Sequence, residues 1–285
     1  MTTSNVPWSD GDHTWQMITE CFNNFDISCY GISSNFLGYG LILAFFCMEY
    51  HIFYKGILTL KPDLTEKQKS WIMSIKSSLI MLLIGVYYNY HCFSNNFNEE
   101  SFYNVLDSNG GVSFGKIIVL YFTAYLIMDV YIGNKEYHNH MKSLSGYFHH
   151  SIYIIVNIVS LYFGVFPLYL LHMLSEAPTF LLAIGSFDPS LRNDDVFGAT
   201  FFSTRIAYHI FLTWLFRRHS LLFYCSLAAL GLHCYWFSSW ANKYFFSNTK
   251  DKKSKSKLRS SSHQTGGPKK RVSKARPPKV KSASV

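Results

Sequence analysis

Charge is scarce in this chain. Only 15% of its 285 residues are Asp, Glu, Lys or Arg, against about 25% in soluble globular domains. That shortage excludes a well-solvated surface over most of the length. N-glycosylation signals are missing as well, since no Asn-x-Ser/Thr sequence occurs. No basic n-region followed by an apolar core opens the chain, because Met1–Asn35 is polar. A cleavable signal peptide is therefore not expected, and the first apolar run has to act as the insertion signal. The six cysteines lack the paired spacing of a metal site. Cys21 and Cys29 can pair in an oxidising compartment. Cys47, Cys92, Cys225 and Cys234 fall in apolar runs and read as packing residues.

What the chain does contain is apolar and aromatic: 49% hydrophobic residues, with 25 Phe, 20 Tyr and 6 Trp. Disorder of the body is excluded on that composition. Charge is also segregated. From Lys250 to Val285 there are 13 Lys and Arg and one acid, Asp251, a net of +12; the other 249 residues hold 13 basic and 16 acidic residues, a net of −3. The overall +9 belongs to the tail.

A bilayer core about 30 Å thick needs roughly 20 mainly apolar residues in helical form. Such runs stand at about 33–54, 71–93, 114–133, 149–164, 167–187, 198–216 and 220–243. They lack the two-residue alternation of barrel strands. Unpaired amides are too costly in hydrocarbon for anything but helices or a closed barrel. The expected fold is all-α: a multi-pass membrane helical bundle of about seven transmembrane helices. The 39 residues 149–187 break at Gly164-Val165-Phe166-Pro167, which predicts two short helices joined by a turn. Pro178 should kink the second of them near Leu174.

Positive charge orients the bundle. Lys55, Lys61, Lys67 and Lys69, then Lys135 and Lys142, and finally the tail mark one side as cytosolic. Glu99, Glu100 and Asp107 mark the other, while Arg217-Arg218 falls on the wrong side. The predicted domains are a polar lumenal segment 1–32, the first transmembrane helix and its loop 33–64, a membrane domain 65–245, and a disordered basic cytosolic tail 246–285. The tail's Lys252–Arg259 run is suited to anionic lipid headgroups. A nuclear-localisation reading of Lys269-Lys270-Arg271 is poor in a chain whose body sits in a membrane, and no nucleic-acid partner is expected.

Ionisable side chains inside spans cost at least ~2.5–3.5 kcal/mol each on insertion scales, so each needs a reason. Asp129 lies one turn before the end of the third span, and His149 and His150 open the fourth at similar depth. A carboxylate beside an imidazole fixes its tautomer and raises its basicity. The three residues are candidates for catalysis by acid–base transfer or an acyl-histidine intermediate, and equally for an interhelical clamp. His172 and Glu176 are four apart and expected on one helix face, as are Arg205 and His209. A Glu176–Arg205 pair would neutralise two buried charges. With His233, these four form a second candidate cluster, either structural or lipid-binding. Glu49 and His51 are placed near the cytosolic end of the first span, within reach of the interface. No metal ligand set and no resident cofactor are expected.

Several of these residues sit in stretches that resemble the TLC domain family of lipid-associated membrane proteins, over about residues 65–245. The marks are Tyr125-Leu126-Ile127-Met128-Asp129, His149-His150, Leu161-Tyr162-Phe163-Gly164-Val165-Phe166-Pro167, Ser175-Glu176-Ala177-Pro178-Thr179-Phe180, Phe201-Phe202-Ser203-Thr204-Arg205 and Tyr235-Trp236-Phe237. The stretch Glu176-Ala177-Pro178-Thr179-Phe180 looks most like the TLC-domain-containing protein 4 (transmembrane protein 56) group. The resemblance implies an endoplasmic-reticulum or endomembrane protein of lipid homeostasis, with membrane lipids as its partners. Within the family, ceramide synthases use a double histidine and acids to move an acyl group from acyl-CoA to a sphingoid base. The double histidine matches at His149 and His150. The run from His172 to Glu176 is similar to the ceramide synthase His-Asp-x-Ser-Asp run but has Met173 in place of its first Asp. A thioether neither takes a proton nor holds a charge. A seven-helix receptor is disfavoured, because Asp129-Val130-Tyr131 lacks a central Arg and the last span lacks Asn-Pro-x-x-Tyr. No repeat recurs in matching halves as in many transporters.

Overall fold

The computed structural model describes residues 36–96, 114–141, 144–162, 166–218 and 220–247. The tail from 248, the N-terminal segment with Cys21 and Cys29, and the loop carrying Glu99, Glu100 and Asp107 lie outside the described residues. All regular structure among the described residues is helical. Four helices are long and apolar enough to cross a membrane: Leu37–Leu60, Glu66–Ser94, Phe114–Glu136 and Tyr169–Phe187. The chain divides into two units, residues 1–238 and 239–285. The described part of the second includes a Trp240–Tyr244 ring stack at 5.1 Å.

Helix α1 is Phe36–Leu60. No breaker interrupts it until Pro62, whose ring disfavours a helical residue before it; the helix stops at Leu60 rather than near residue 54. It therefore spans roughly 37 Å, at 1.5 Å per residue. Leu37, Leu41, Phe45, Met48 and Ile52, spaced three or four apart, are exposed along one stripe. On the other side Tyr50 and Tyr54 are fully buried. An exposed apolar stripe of this length is the surface hydrocarbon accepts and water does not.

Lys61–Ser70 turns the chain around through a four-residue helix α2, Glu66–Lys69, whose capping box pairs Thr65 with Gln68. Helix α3, Ile72–Ser94, runs back. Helix α4, Phe114–Glu136, is the central element: Ile118 through Leu126 is buried without interruption. A helix apolar all round has to be enclosed, and α1, α3 and the segments 138–141, 149–162 and 166–171 pack against it. After a short helix α5, His138–Met141, and a segment Leu144–Phe148 broken by a kink at Gly146 (φ −92°, ψ −108°), helix α6 covers His149–Tyr162. Its outer face, Ile152, Ile155, Val156, Ile158 and Val159, is exposed and apolar.

The next segment is a broken helix. Helix α7, Phe166–Leu171, passes into a 3-10 stretch, His172–Glu176, and then helix α8, Ala177–Phe187. Pro178 supplies no N–H to Leu174, four residues earlier. The Ala177 N–H bonds the Leu174 carbonyl instead, one residue tighter. Where a kink is expected near Leu174, the helix changes type. Loosened carbonyls inside a bundle need side-chain donors. The Leu171 carbonyl accepts from Asn89 Nδ2 at 3.2 Å and from the Tyr208 hydroxyl at 3.2 Å; the Ser175 carbonyl accepts from Arg205 Nε at 2.8 Å. Helix α3 lies so close to this stretch that a Cβ at Gly85 would stand 2.7 Å from the Leu174 nitrogen.

Helices α9, Asp194–Phe201, and α10, Tyr208–Leu215, are joined by a π-helical segment, Phe202–Ala207, with the Tyr208 N–H reaching the Ser203 carbonyl. Helix α11 is Ser220–Asn242. The described cysteines are free thiols, of which only Cys92 is fully enclosed.

Candidate functional site

Asp129 is on α4 two turns before its end and is 3% exposed. Its Oδ1 accepts a 2.6 Å hydrogen bond from the hydroxyl of Tyr137, a fully buried side chain just beyond the helix. Its Oδ2 lies 3.2 Å from Nδ1 of His150 at the start of α6. That approach is within ion-pair reach, and Nδ1 has no hydrogen-bond partner. The His150 ring lies 5.8 Å from Tyr125, whose hydroxyl shares a 2.9 Å hydrogen bond with Ser74. The Tyr54 phenol, its ring 6.4 Å from Tyr137, is buried without a partner.

The two adjacent histidines do not act on the same group. Successive helical side chains point about 100° apart. His150 faces Asp129, while the His149 ring sits 4.5 Å from Tyr153 and 5.6 Å from Trp236. Trp236 is in turn 6.0 Å from His233. One indole therefore joins the Asp129–His150 pair, through His149, to the second cluster.

In that second cluster the structure brings all five expected residues into one chain of contacts. His209 and His233 face each other through their Nδ1 atoms at 3.1 Å. The tautomers follow from the partners. His209 Nε2 meets the Ser226 carbonyl at 3.0 Å, so Nε2 carries the hydrogen and Nδ1 is the acceptor of a neutral ring. His233 Nδ1 then donates, to His209 Nδ1 and to the Arg205 carbonyl at 3.2 Å. Thr213 and Ser226, 2.8 Å apart, complete the girdle. Both rings are nearly inaccessible, at 1% and 5% exposure.

Arg205 sits inside the π-helical segment, a distortion frequent at functional sites. Its Nε is held by the Ser175 carbonyl and its Nη2 by Thr179 Oγ1 at 2.7 Å, with Phe201 under the guanidinium at 5.3 Å. The expected Glu176–Arg205 pair is present only at 4.0 Å, the edge of ion-pair range. His172 and Glu176 do not share a face. Three residues per turn place i and i+4 about 120° apart, and the His172 ring instead packs 5.1 Å from His209.

Three polar features were missed in the sequence. Lys76, on α3, contacts Glu49 Oε1 and is ringed by Tyr50, Phe53 and Tyr121 at 4.7, 4.6 and 6.0 Å. A lysine inside an apolar run was the signal. Because α1 runs on to Leu60, Glu49 is mid-helix and pairs inward rather than reaching the interface. Asn89 ties α3 to the broken helix and accepts from Tyr208. Asn157 binds Thr123 between α6 and α4. Among the described residues no group of three His, Cys, Asp or Glu is placed to hold a metal ion.

Comparison with models of known families, with curated proteins and with solved structures yields no match for this chain.

Proposed function

We propose that the chain is a multi-pass membrane protein of TLC type that acts in lipid homeostasis, handling or setting the composition of membrane lipids. The observation that carries this reading is the enclosed triad of Asp129, Tyr137 and His150, joined through His149 and Trp236 to a second polar network. Hydrocarbon-facing stripes on α1 and α6 surround it. Polar groups kept in such surroundings are paid for by function or by a structural lock. In this reading α6, the α9–α10 helix and α11 complete a bundle of seven spans around the four membrane-length helices. Lysine asymmetry favours a cytosolic tail, and the TLC resemblance favours the endoplasmic reticulum or endomembranes. The test is lipid profiling of cells lacking the protein, rescued with wild type or Asp129→Asn. Wild type should restore the profile and Asp129→Asn should not. Full rescue by Asp129→Asn would deny that carboxylate a chemical role.

The second reading is a ceramide-synthase-like N-acyltransferase, favoured by the 3.2 Å approach of Asp129 to His150. An imidazole beside a carboxylate can take the proton of an amine as it attacks the acyl-CoA thioester. The N–C bond forms, the C–S bond breaks, and the proton passes to the departing thiolate. Met173 weakens this reading: its side chain is buried against α3 and does no proton chemistry. Purified protein in nanodiscs with long-chain acyl-CoA and sphingoid base decides it. Turnover no higher than that of a His149→Ala/His150→Ala variant would end it.

A further inference from the structure

Arg217 is a cation that the lysine asymmetry does not explain, since it falls on the opposite side of the bundle. It lies in the 3-10 turn Phe216–Arg218 that ends α10. Its Nη1 donates to the Trp214 carbonyl at 2.9 Å, and its guanidinium carbon stands 4.0 Å from the centre of the Trp214 ring. Trp214 stacks on Phe211 at 6.3 Å, and Phe211 on Phe93 of α3 at 6.0 Å. Three aromatic planes from two helices thus end in one cation. Phe93, Trp214 and Arg217 are all exposed. The row stands where α3 leaves the hydrocarbon. Along one side of that helix the exposed side chains change from Leu79, Leu83 and Val86 to Tyr87, Tyr90 and Phe93. An aromatic belt of this kind marks the level of the lipid headgroups.

The guanidinium is prepared for one kind of anion. A backbone carbonyl takes one hydrogen of Nη1, and the indole holds the plane. The edge formed by Nε and Nη2 keeps its parallel hydrogens, the fork that matches two oxygens of a phosphate. Among the described residues Arg217 makes no ion pair. The surrounding sequence supplies no acid either, since no Asp or Glu stands between Asp195 and Asp251. At headgroup level the anion at hand is lipid phosphate. We propose that Arg217, stacked on Trp214, binds the phosphate of one membrane phospholipid, whose acyl chains lie along the exposed side of α3. Val86 and Leu83 continue that side into the hydrocarbon below Phe93. The site is at the end of the bundle opposite the lysine-rich loop 55–70 and is distinct from the basic tail. It rests on the bundle lying in a membrane, and on neither lipid homeostasis nor any reaction at His150.

The experiment uses the full chain in dodecyl maltoside, which carries no phosphate, and a phosphatidylglycerol with a diazirine close to the glycerol. Labelled peptides are mapped by mass spectrometry. The probe should label the peptides covering 83–94 and 208–217 saturably. Unlabelled phosphatidylglycerol or phosphatidylcholine should displace it there. Dioleoylglycerol, which has the chains but no phosphate, should not. Arg217→Gln should lower this labelling about fivefold at sub-saturating probe, the loss of roughly one hydrogen-bonded contact. Arg217→Lys keeps the charge without the fork and should lower it by a similar factor. Labelling of the basic tail should be the same in all three chains, which makes it the internal reference. Equal displacement by dioleoylglycerol overturns the proposal. So does wild-type labelling of the 208–217 peptide in either Arg217 variant, or the absence of saturable labelling there. If the variants fail to fold, the competition on the wild-type chain still decides. Extraction of the chain from membranes by alkaline carbonate would instead sink the membrane reading itself, and is measured separately.

Discussion

Replacing Tyr137 by Phe removes one hydroxyl and leaves the ring. The ring is fully buried, so packing is preserved, and what is lost is the 2.6 Å hydrogen bond to Asp129 Oδ1 together with a weak 3.4 Å one to the Asp129 carbonyl. Hydrogen bonds to charged groups contribute about 1.5–3 kcal/mol net. The carboxylate cannot recover the bond from solvent, because it is 3% exposed. By the scaling of soluble chains of about 150–250 residues, roughly 2–4 °C per kcal/mol, the unfolding midpoint should fall by about 3–12 °C. Thermal unfolding in one detergent, followed by tryptophan fluorescence, reads this directly. A double-mutant cycle with Asp129→Asn isolates the pair. Residues in one network couple by about 0.5–3 kcal/mol, so the double variant should be less damaged than the sum of the singles. A midpoint shift under about 1 °C for Tyr137→Phe, or strict additivity in the cycle, would refute the claim that Tyr137 holds the carboxylate.

Gly85→Ala gains about 1 kcal/mol of helix propensity but puts a methyl 2.7 Å from the Leu174 backbone nitrogen. Backbone cannot yield as a side chain can, so overpacking of about 1–3 kcal/mol should win and the variant should unfold at lower temperature. Lys76→Met leaves Glu49 with an unpaired, half-buried carboxylate and should destabilise by about 1–3 kcal/mol. Adding Glu49→Leu should recover most of that, and failure to recover would mean the pair is not the cause. At the exposed loop, the Ser190 hydroxyl and backbone N–H donate to Asp188 and hold its carboxyl below the usual range. The contribution is present above the unfolded carboxylate value of about 3.9 and is lost as pH falls through the lowered folded value. Ser190→Ala should move the Asp188 titration up toward that value, as followed by carbon NMR of the labelled side chain.

Helix positions were legible because apolar runs and prolines are local signals. The breaks before Pro167 and near Pro178, and the grouping of His172, Glu176, Arg205, His209 and His233, could be read from spacing and depth. What could not be read depends on helix type and on the partner helix. An i, i+4 rule assumes an α-turn, so His172 and Glu176 were placed on one face when the backbone there is 3-10. His149 and His150 read as one motif, yet a single residue step aims them at different neighbours. The end of α1 was set too early because Lys55 looked like a loop residue, although it lies within the helix and bonds Glu136 on α4. That error hid the Glu49–Lys76 pair.

The interrupted helix lends its spare oxygens at Leu171 and Ser175 to Asn89, Tyr208 and Arg205, which belong to two other helices. Sliding any of these three past another by one turn would strand an acceptor in oil, at several kcal/mol apiece. They must travel as a block.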